Sequence, residues 1–331
     1  MTAAKRLFSG IQPTSVPHLG NYLGALKHWV TLQSDYQCLY CVVDLHALTT
    51  ARNPKETTAN IFDTASMLLA IGVDVERSVL FVQSQVSGHA ELAWILSCFC
   101  YMGELGRMTQ FKEKVGAEQE AANAGLFTYP VLMSADILLY NTRAVPVGDD
   151  QKQHLELART IARRFNNAYE AVFSIPEPII PAHGARIMSL DDPGKKMSKS
   201  AASAMSFVAL TDEPDAIRKK IRSAVTDSGR EVIYDETAKP ALANLLTIMS
   251  LVCAKTPQEL SALYRDKGYA VFKSDLAEAV ITFLMPVQER YRHWKDSPDK
   301  VNALLAQGAE RARVMAAPML ERVKGCIGIK M

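Results

Sequence analysis

The chain has 331 residues, 48% hydrophobic and 22% charged, more than one ordinary core holds, and two domains are expected. That balance excludes a disordered chain, a collagen-like fibre and a disulfide-stapled miniprotein. With 37 basic and 35 acidic residues the net charge is only +2, so any nucleic-acid contact must come from a local patch.

Arg6–Ile11 reads as a strand, followed by a Pro/Ser loop and a helix from about Leu19 to Leu32. Cys38–Asp44 is a second, apolar strand. Its C-x-x-C, Cys38 and Cys41, reads as two small buried side chains, because a redox pair usually opens a helix and no second pair completes a zinc site. Asn53 and Pro54 form an N-cap and first-turn pair. The helix they open buries Ile61, Ala65, Leu68 and Leu69 and runs out near Gly72. Ser78–Val82 is a third strand, then a helix passes through Trp94 and Ile95. Tyr129, Met133, Asp136 and Tyr140 share one face of a helix that Pro130 begins. Ala144–Val147 and Arg186–Leu190 read as further short buried strands. Strands alternating with helices predict a parallel α/β sheet covered on both faces.

After Ser206 strand signals nearly stop. Helical patterns follow at Asp215–Val225, Ala241–Ala254, Pro257–Arg265, Asp275–Trp294 and Lys300–Val323, with a capping box at Thr256 and Glu259. The expected division is an α/β domain over 1–205 and a mildly basic, all-helical domain over 206–331. No apolar run approaches the roughly 18 residues of a membrane span. Met1–Arg6 lacks the apolar core of a signal peptide, and Leu7 arrives too early for a transit peptide, so a cytoplasmic location is expected.

Two stretches carry chemistry. In Phe8–Gly24, FSGIQPTSVPHLGNYLG, a buried strand passes through a Pro-bearing loop into a helix at the carboxyl end of a parallel sheet, where open α/β folds bind ligands. Gly20 would let a nucleotide approach the backbone, the helix N-terminus favours phosphate, and His18 and Asn21 add polar side chains. A helix start with a surface histidine would look the same. In Pro193–Ser200, PGKKMSKS, three lysines and two serines with no acid make a claw suited to a transient polyphosphate charge. A solvated basic linker is the plainer alternative.

Together, HLGN and Lys196-Met197-Ser198-Lys199-Ser200 resemble the two signatures of class I aminoacyl-tRNA synthetases. FSGIQPT (Phe8–Thr14), GNYLGAL (Gly20–Leu26), VDLHALT (Val43–Thr49), GELGRMTQFKEK (Gly103–Lys114), YPVLMSADILLY (Tyr129–Tyr140), VPVGDDQKQHLEL (Val145–Leu157) and GARIMSL (Gly184–Leu190) extend the resemblance, over nearly the whole chain, to the bacterial-type tryptophanyl group. The resemblance implies a Rossmann-like catalytic domain with a helical insertion, followed by a helical anticodon-binding domain. It implies ATP-dependent activation of L-tryptophan to the adenylate with release of pyrophosphate, then transfer to the terminal adenosine of tRNA(Trp), by a homodimer.

Carried over by residue, Gln12, Pro13, Thr14, Gly20 and Asn21 would hold ATP, with Gly148, Asp149, Asp150 and Ile187 at its ribose and adenine. Lys196, Met197, Ser198, Lys199 and Ser200 belong to the loop that closes over pyrophosphate, and Lys196, Lys199, Asn21 and Gln12 would be catalytic. Tyr129, Met133, Asp136 and Gln151 would surround tryptophan, with Phe8, His46, Val145 and Val147 nearby. No protein metal cluster is expected, so Mg²⁺ would arrive on the nucleotide.

Asp136 supports that pocket independently: it is the only charge on an apolar stripe, and a buried carboxylate must be paired or must serve a donor ligand. Indole has one donor and no acceptor, so an aromatic slot ending in one acceptor suits it. Backbone amides or an arginine of the same chain could equally take up Asp136.

Three departures stand out. Asn21 replaces the second histidine of the general class signature, Leu45 stands where many relatives have Gln, and Ala201 follows the lysine loop where relatives commonly carry Asp. A tyrosyl-tRNA synthetase is the nearest rival, since a phenol is also a donor. A small-molecule nucleotidyltransferase of related fold is another, though it would rarely need so long a helical half. The cations Arg218, Lys219, Lys220 and Arg222 would be either phosphate contacts or a solvated face.

Overall fold

Segments apolar on both faces build the sheet, as parallel strands covered on two sides require. They are β1 (Arg6–Ile11), β2 (Gln37–Val42), β3 (Val79–Val82) and β4 (Ala144–Pro146), joined at one edge by the more exposed β5 (Glu177–Ile179), all parallel, in the order β3-β2-β1-β4-β5. The computed structural model describes residues 5–14, 16–50, 53–115, 123–148, 151–179, 186–199 and 203–329. Strand order reverses beside β1, whose Leu7 pairs with Cys38 of β2 on one side and Ala144 of β4 on the other. The crevice beyond the carboxyl end of β1 is therefore the switch point at which such sheets bind ligands.

The expected strand at Arg186–Leu190 is a correction. Ile187, Ser189 and Leu190 are buried, but their segment joins no sheet. Its donors go elsewhere: Met188 N to Asn244 Oδ1 (2.8 Å), Ser189 N to Lys195 O (2.8 Å) and Leu190 N to Ser206 O (2.8 Å). The fifth strand is Glu177–Ile179 instead, an edge strand in which Pro178 has no N–H to offer, a position at which a sheet tolerates proline.

Helices fill the connections. After β1 the chain winds through α1 (Leu19–Asn21), a π-helical turn (Tyr22–Leu26) and α2 (Lys27–Leu32), where Trp29 stacks on Tyr40 of β2 at 4.9 Å. Then come α3 (Asp44–Ala47) and α4 (Pro54–Ile71), which Asn53 caps by accepting from Lys55 N and Gly72 ends at φ +110°. They are followed by α5 (Gly88–Ser97), α6 (Met102–Leu105), α7 (Thr109–Val115), α8 (Ala124–Leu138) and α9 (Lys152–Ala168). Beyond residue 206 the described residues form α10 (Pro214–Ser223), α11 (Pro240–Cys253), α12 (Pro257–Tyr264), α13 (Gly268–Lys295) and α14 (Pro298–Cys326), and no strand.

This helical half is folded onto the sheet. Val280 and Leu284 of α13 join the same core as Leu68 of α4, while Ala309 and Ala312 of α14 pack with Phe81 of β3 on the opposite face. Gly308 makes that approach possible, because a Cβ there would stand 1.8 Å from Leu80 O. No helix among the described residues is long and apolar enough to cross a membrane.

Candidate active site

His18 organises the turn after β1. Its Nδ1 accepts from Asn21 N (3.2 Å) and its backbone N donates to Asn21 Oδ1 (3.2 Å), a reciprocal cap. The segment after residue 206 straps this turn from outside: Leu19 N donates to Val208 O (2.8 Å) and Leu210 N to Pro17 O (3.0 Å). The lysine loop abuts it from the other side. Met197 N donates to Ile187 O (3.0 Å), and both side chains are buried. A Cβ on Gly20 would lie 3.3 Å from Met197 Cβ. The two stretches that looked chemical in the sequence are thus in contact.

Lys196 is exposed, while Ser198 and Lys199 are half-buried. Burial lowers the Lys199 ammonium to about 8. Burial, reinforced by the charges of Lys199 and then Lys196, lowers His18 to about 4. The imidazole is therefore neutral near neutral pH, which its Nδ1 must be to accept from Asn21.

Beside this junction lies a cavity of about 400 Å³. Phe8, His46, Tyr129, Met133, Asp136, Val145, Val147 and Gln151, the eight side chains expected around an amino acid, all line it, as does Gln12. Ser9, Gly10, Val43, Gln110, Ile137 and Pro146 complete the wall. Tyr129 is fixed by Gln110 Oε1 (3.1 Å) and His154 Nε2 (2.7 Å). Of the other expected residues, Pro13 is buried and Thr14 exposed, and Gly148 lies exposed just after the cavity wall at Val147. Asp149, Asp150, Ser200 and the departure at Ala201 lie outside the described residues.

Asp136 sits at the cavity wall, 1% exposed. Its helix does not begin at Pro130. It begins six residues earlier at Ala124, because Asn123 Oδ1 accepts from Leu126 N (2.8 Å), and Pro130 is carried inside. Oδ2 of Asp136 accepts from His46 Nε2 (2.8 Å), and Oδ1 accepts from Gln83 Nε2 (2.7 Å) and His89 Nδ1 (2.6 Å). Burial pushes the carboxyl up, but the hydrogen bonds of His46 and His89 outweigh it and hold it well below the usual carboxylate range. Among the described residues neither an arginine nor backbone amides take that role. Gln83 and His89 were missed in the sequence, although Gln83 directly follows β3 at the carboxyl end of the sheet.

Among the described residues no group of three or more His, Cys, Asp or Glu side chains is arranged to hold a metal. Cys38 and Cys41 are fully buried on β2, and burial raises both thiols, as inert core side chains require.

Residues 2–285 match the family model described as tRNA synthetases class I (W and Y). The chain is 52% identical over 325 residues to a tryptophan–tRNA ligase of Caldanaerobacter subterraneus subsp. tengcongensis, covering 98% of each chain. It is 50% identical over 323 residues to that of Bacillus subtilis, covering 98% of this chain and 97% of the other. Among solved structures it is similar to a tryptophanyl-tRNA synthetase from Mycoplasma pneumoniae (TM-score 0.90, 34% identity, 99% and 98% of the two chains). It is also similar to that of Campylobacter jejuni complexed with ADP and tryptophan (TM-score 0.85, 35% identity, 98% and 99%).

Proposed function

The chain belongs to the class I tRNA synthetases of the tryptophan and tyrosine group, and from that premise we propose that it is a tryptophan–tRNA ligase. The choice of amino acid is carried by the 52% identity to a tryptophan–tRNA ligase over 98% of the chain, and the cavity fits it: Phe8, Tyr129, Met133, Val145 and Val147 wall it, and its carboxylate, Asp136, is held ionised. An ionised carboxylate only accepts, and the indole ring offers only a donor.

The reaction needs no general base, because the tryptophan carboxylate that attacks the α-phosphorus is already an anion. Rate enhancement must come from donors that meet the phosphates more strongly as charge moves onto pyrophosphate. Lys196 and Lys199 are the residues for that role, with Gln12 and Asn21 beside the nucleotide and Gly20 giving it close approach. An arriving polyphosphate also favours the charged form of Lys199. Mg²⁺ enters as part of the MgATP substrate. Asp149, Asp150, Gly148 and Ile187 are assigned to the ribose and adenine side.

Residues 1–205 then form the catalytic domain, and 206–331 the helical domain that reads tRNA(Trp) at its anticodon. A homodimer is supported by an apolar surface, with Trp94 76%, Tyr101 61% and Met102 72% exposed on adjoining segments. The enzyme works in the cytoplasm, where charged tRNA is consumed. ATP–pyrophosphate exchange with each of the twenty amino acids tests the reading. Exchange should depend on tryptophan alone, and exchange driven by tyrosine, or by none of them, overturns it.

A further inference from the structure

We propose that His89 and Tyr140, neither of which faces the cavity, are positioning residues for tryptophan: Tyr140 fixes the His89 ring, and His89 keeps Asp136 an acceptor toward the indole N–H. This rests on the reading of the cavity given above. Both side chains are fully buried, and neither lines the cavity wall.

The Tyr140 hydroxyl lies 2.7 Å from His89 Nε2, and His89 Nδ1 lies 2.6 Å from Asp136 Oδ1. Burial pushes the Tyr140 phenol up, so its oxygen keeps its proton and donates it to Nε2. A neutral imidazole that accepts at Nε2 carries its proton at Nδ1, facing Asp136. Both ring nitrogens are committed, and one tautomer satisfies them.

The ring cannot turn away. Phe81 packs on it with centroids 5.8 Å apart, and Phe8 stacks on Tyr140 at 5.9 Å and 10°. Arg6 Nη1 ties down the Tyr140 carbonyl at 3.0 Å. His89 is the second residue of α5, whereas Asp136 lies on α8 and Tyr140 just beyond it, so the relay bolts two helices together at the site.

At Asp136 the arithmetic of lone pairs then leaves one place. A carboxylate has about four acceptor sites. Gln83 and His89 occupy Oδ1, and His46, itself on the cavity wall, takes one site on Oδ2. The site left over is on Oδ2. A buried carboxylate short of donors would take up a proton instead, and its O–H would then face the indole N–H, donor against donor. His89 therefore supplies direction and charge state to a group it never shares a wall with.

The test compares tryptophan with its benzothiophene analogue, in which sulfur replaces the N–H, by kcat/KM in ATP–pyrophosphate exchange. The ratio isolates the bond to Asp136. His89→Asn puts an amide N–H where Nδ1–H stood and should keep the ratio within a few-fold. His89→Gln carries its amide to the Tyr140 end, and should lower the ratio by about 10- to 100-fold. Tyr140→Phe, of the same shape, should lower it by about 3- to 10-fold. If His89→Gln weakens both substrates equally and leaves the ratio at the wild-type value, the two residues are scaffold and the proposal is overturned. Should the His89 variants fail to fold, an unchanged ratio in Tyr140→Phe overturns it equally. A wild-type enzyme that activates tryptophan no better than the analogue would instead overturn the assignment of Asp136 on which the relay rests.

Discussion

Gly20 and Met197 meet side by side: a Cβ on Gly20 would stand 3.3 Å from Met197 Cβ and 3.1 Å from the His18 ring. The helical turn after β1 and the lysine loop are thus separated by space for a hydrogen atom and little more. Met197 is the buried hinge of that contact, with Lys196 and Lys199 on either side of it.

Gly20→Ala should displace the loop by a few tenths of an ångström without unfolding the protein. The expected effect is a fall of about tenfold in kcat/KM for ATP, since small misplacements at a reacting centre are costly. Tryptophan binding, measured by equilibrium dialysis, should hold. Unchanged ATP kinetics would mean that the contact does not set the position of the lysines.

Asp136→Asn keeps the volume of the side chain and replaces one acceptor with an NH₂ donor. Two of its neighbours, His46 and His89, then face a group that no longer carries charge. An unpaired polar group in a buried site costs about 1–3 kcal/mol, so kcat/KM for tryptophan should fall roughly 10- to 100-fold. Kinetics of exchange on a variant with wild-type circular dichroism decide it, and an unaltered value removes Asp136 from the pocket.

How much of this was legible in the sequence depended on how far apart the partners lie. Asn53, Thr256 and the stripe of Tyr129, Met133 and Asp136 declare themselves within a few residues, because caps and periodicity are local, whereas Tyr140, expected on the same helix face, lies beyond the end of α8 and off the cavity wall. The edge strand Glu177–Ile179 was hidden by Pro178, which counts against a strand unless its edge position is known. Helix α13 begins at Gly268, before the expected Asp275, since Phe272 packs fully into the core and tertiary burial outweighs the weak local signal. Gln83 and His89 stand 53 and 47 residues from Asp136, and no spacing rule joins them. The buried carboxylate implied that partners existed without saying where.

His18 should make stability depend on pH. Its imidazole falls from 6.5 in the unfolded chain to about 4 in the folded one, so between those values only the unfolded state takes up the proton. Stability therefore drops as pH falls through that window, by about 2 kcal/mol between pH 7 and pH 5. His18→Gln should flatten this stretch of the profile in urea titrations, even though it loses the cap. A variant with the wild-type slope would assign the dependence to another group.

The last prediction concerns α10, whose four cations the structure separates into two kinds. Lys220 is buried, pairs with Asp212 at 2.5 Å and lies over the Phe207 ring at 5.0 Å. Asp212 also accepts from Ala209 N (2.9 Å), and Ala209 bridges to His18, so this pair supports the turn that faces the lysine loop. Arg218 is taken up by Glu278 and Asp215. Lys219 and Arg222 are the exposed pair. Replacing Lys219 and Arg222 with Ala should raise KM for tRNA and flatten its salt dependence, because phosphate contacts release counterions. Pyrophosphate exchange, which needs no tRNA, should not change. Lys220→Ala should do the reverse: leaving the half-buried Asp212 without its cation disturbs the strap on His18 and lowers exchange itself. If Lys220→Ala spares exchange while aminoacylation falls, α10 is a tRNA surface throughout. If the exposed pair can be removed with aminoacylation intact, those two cations are only a solvated face, and the helical half reads tRNA elsewhere.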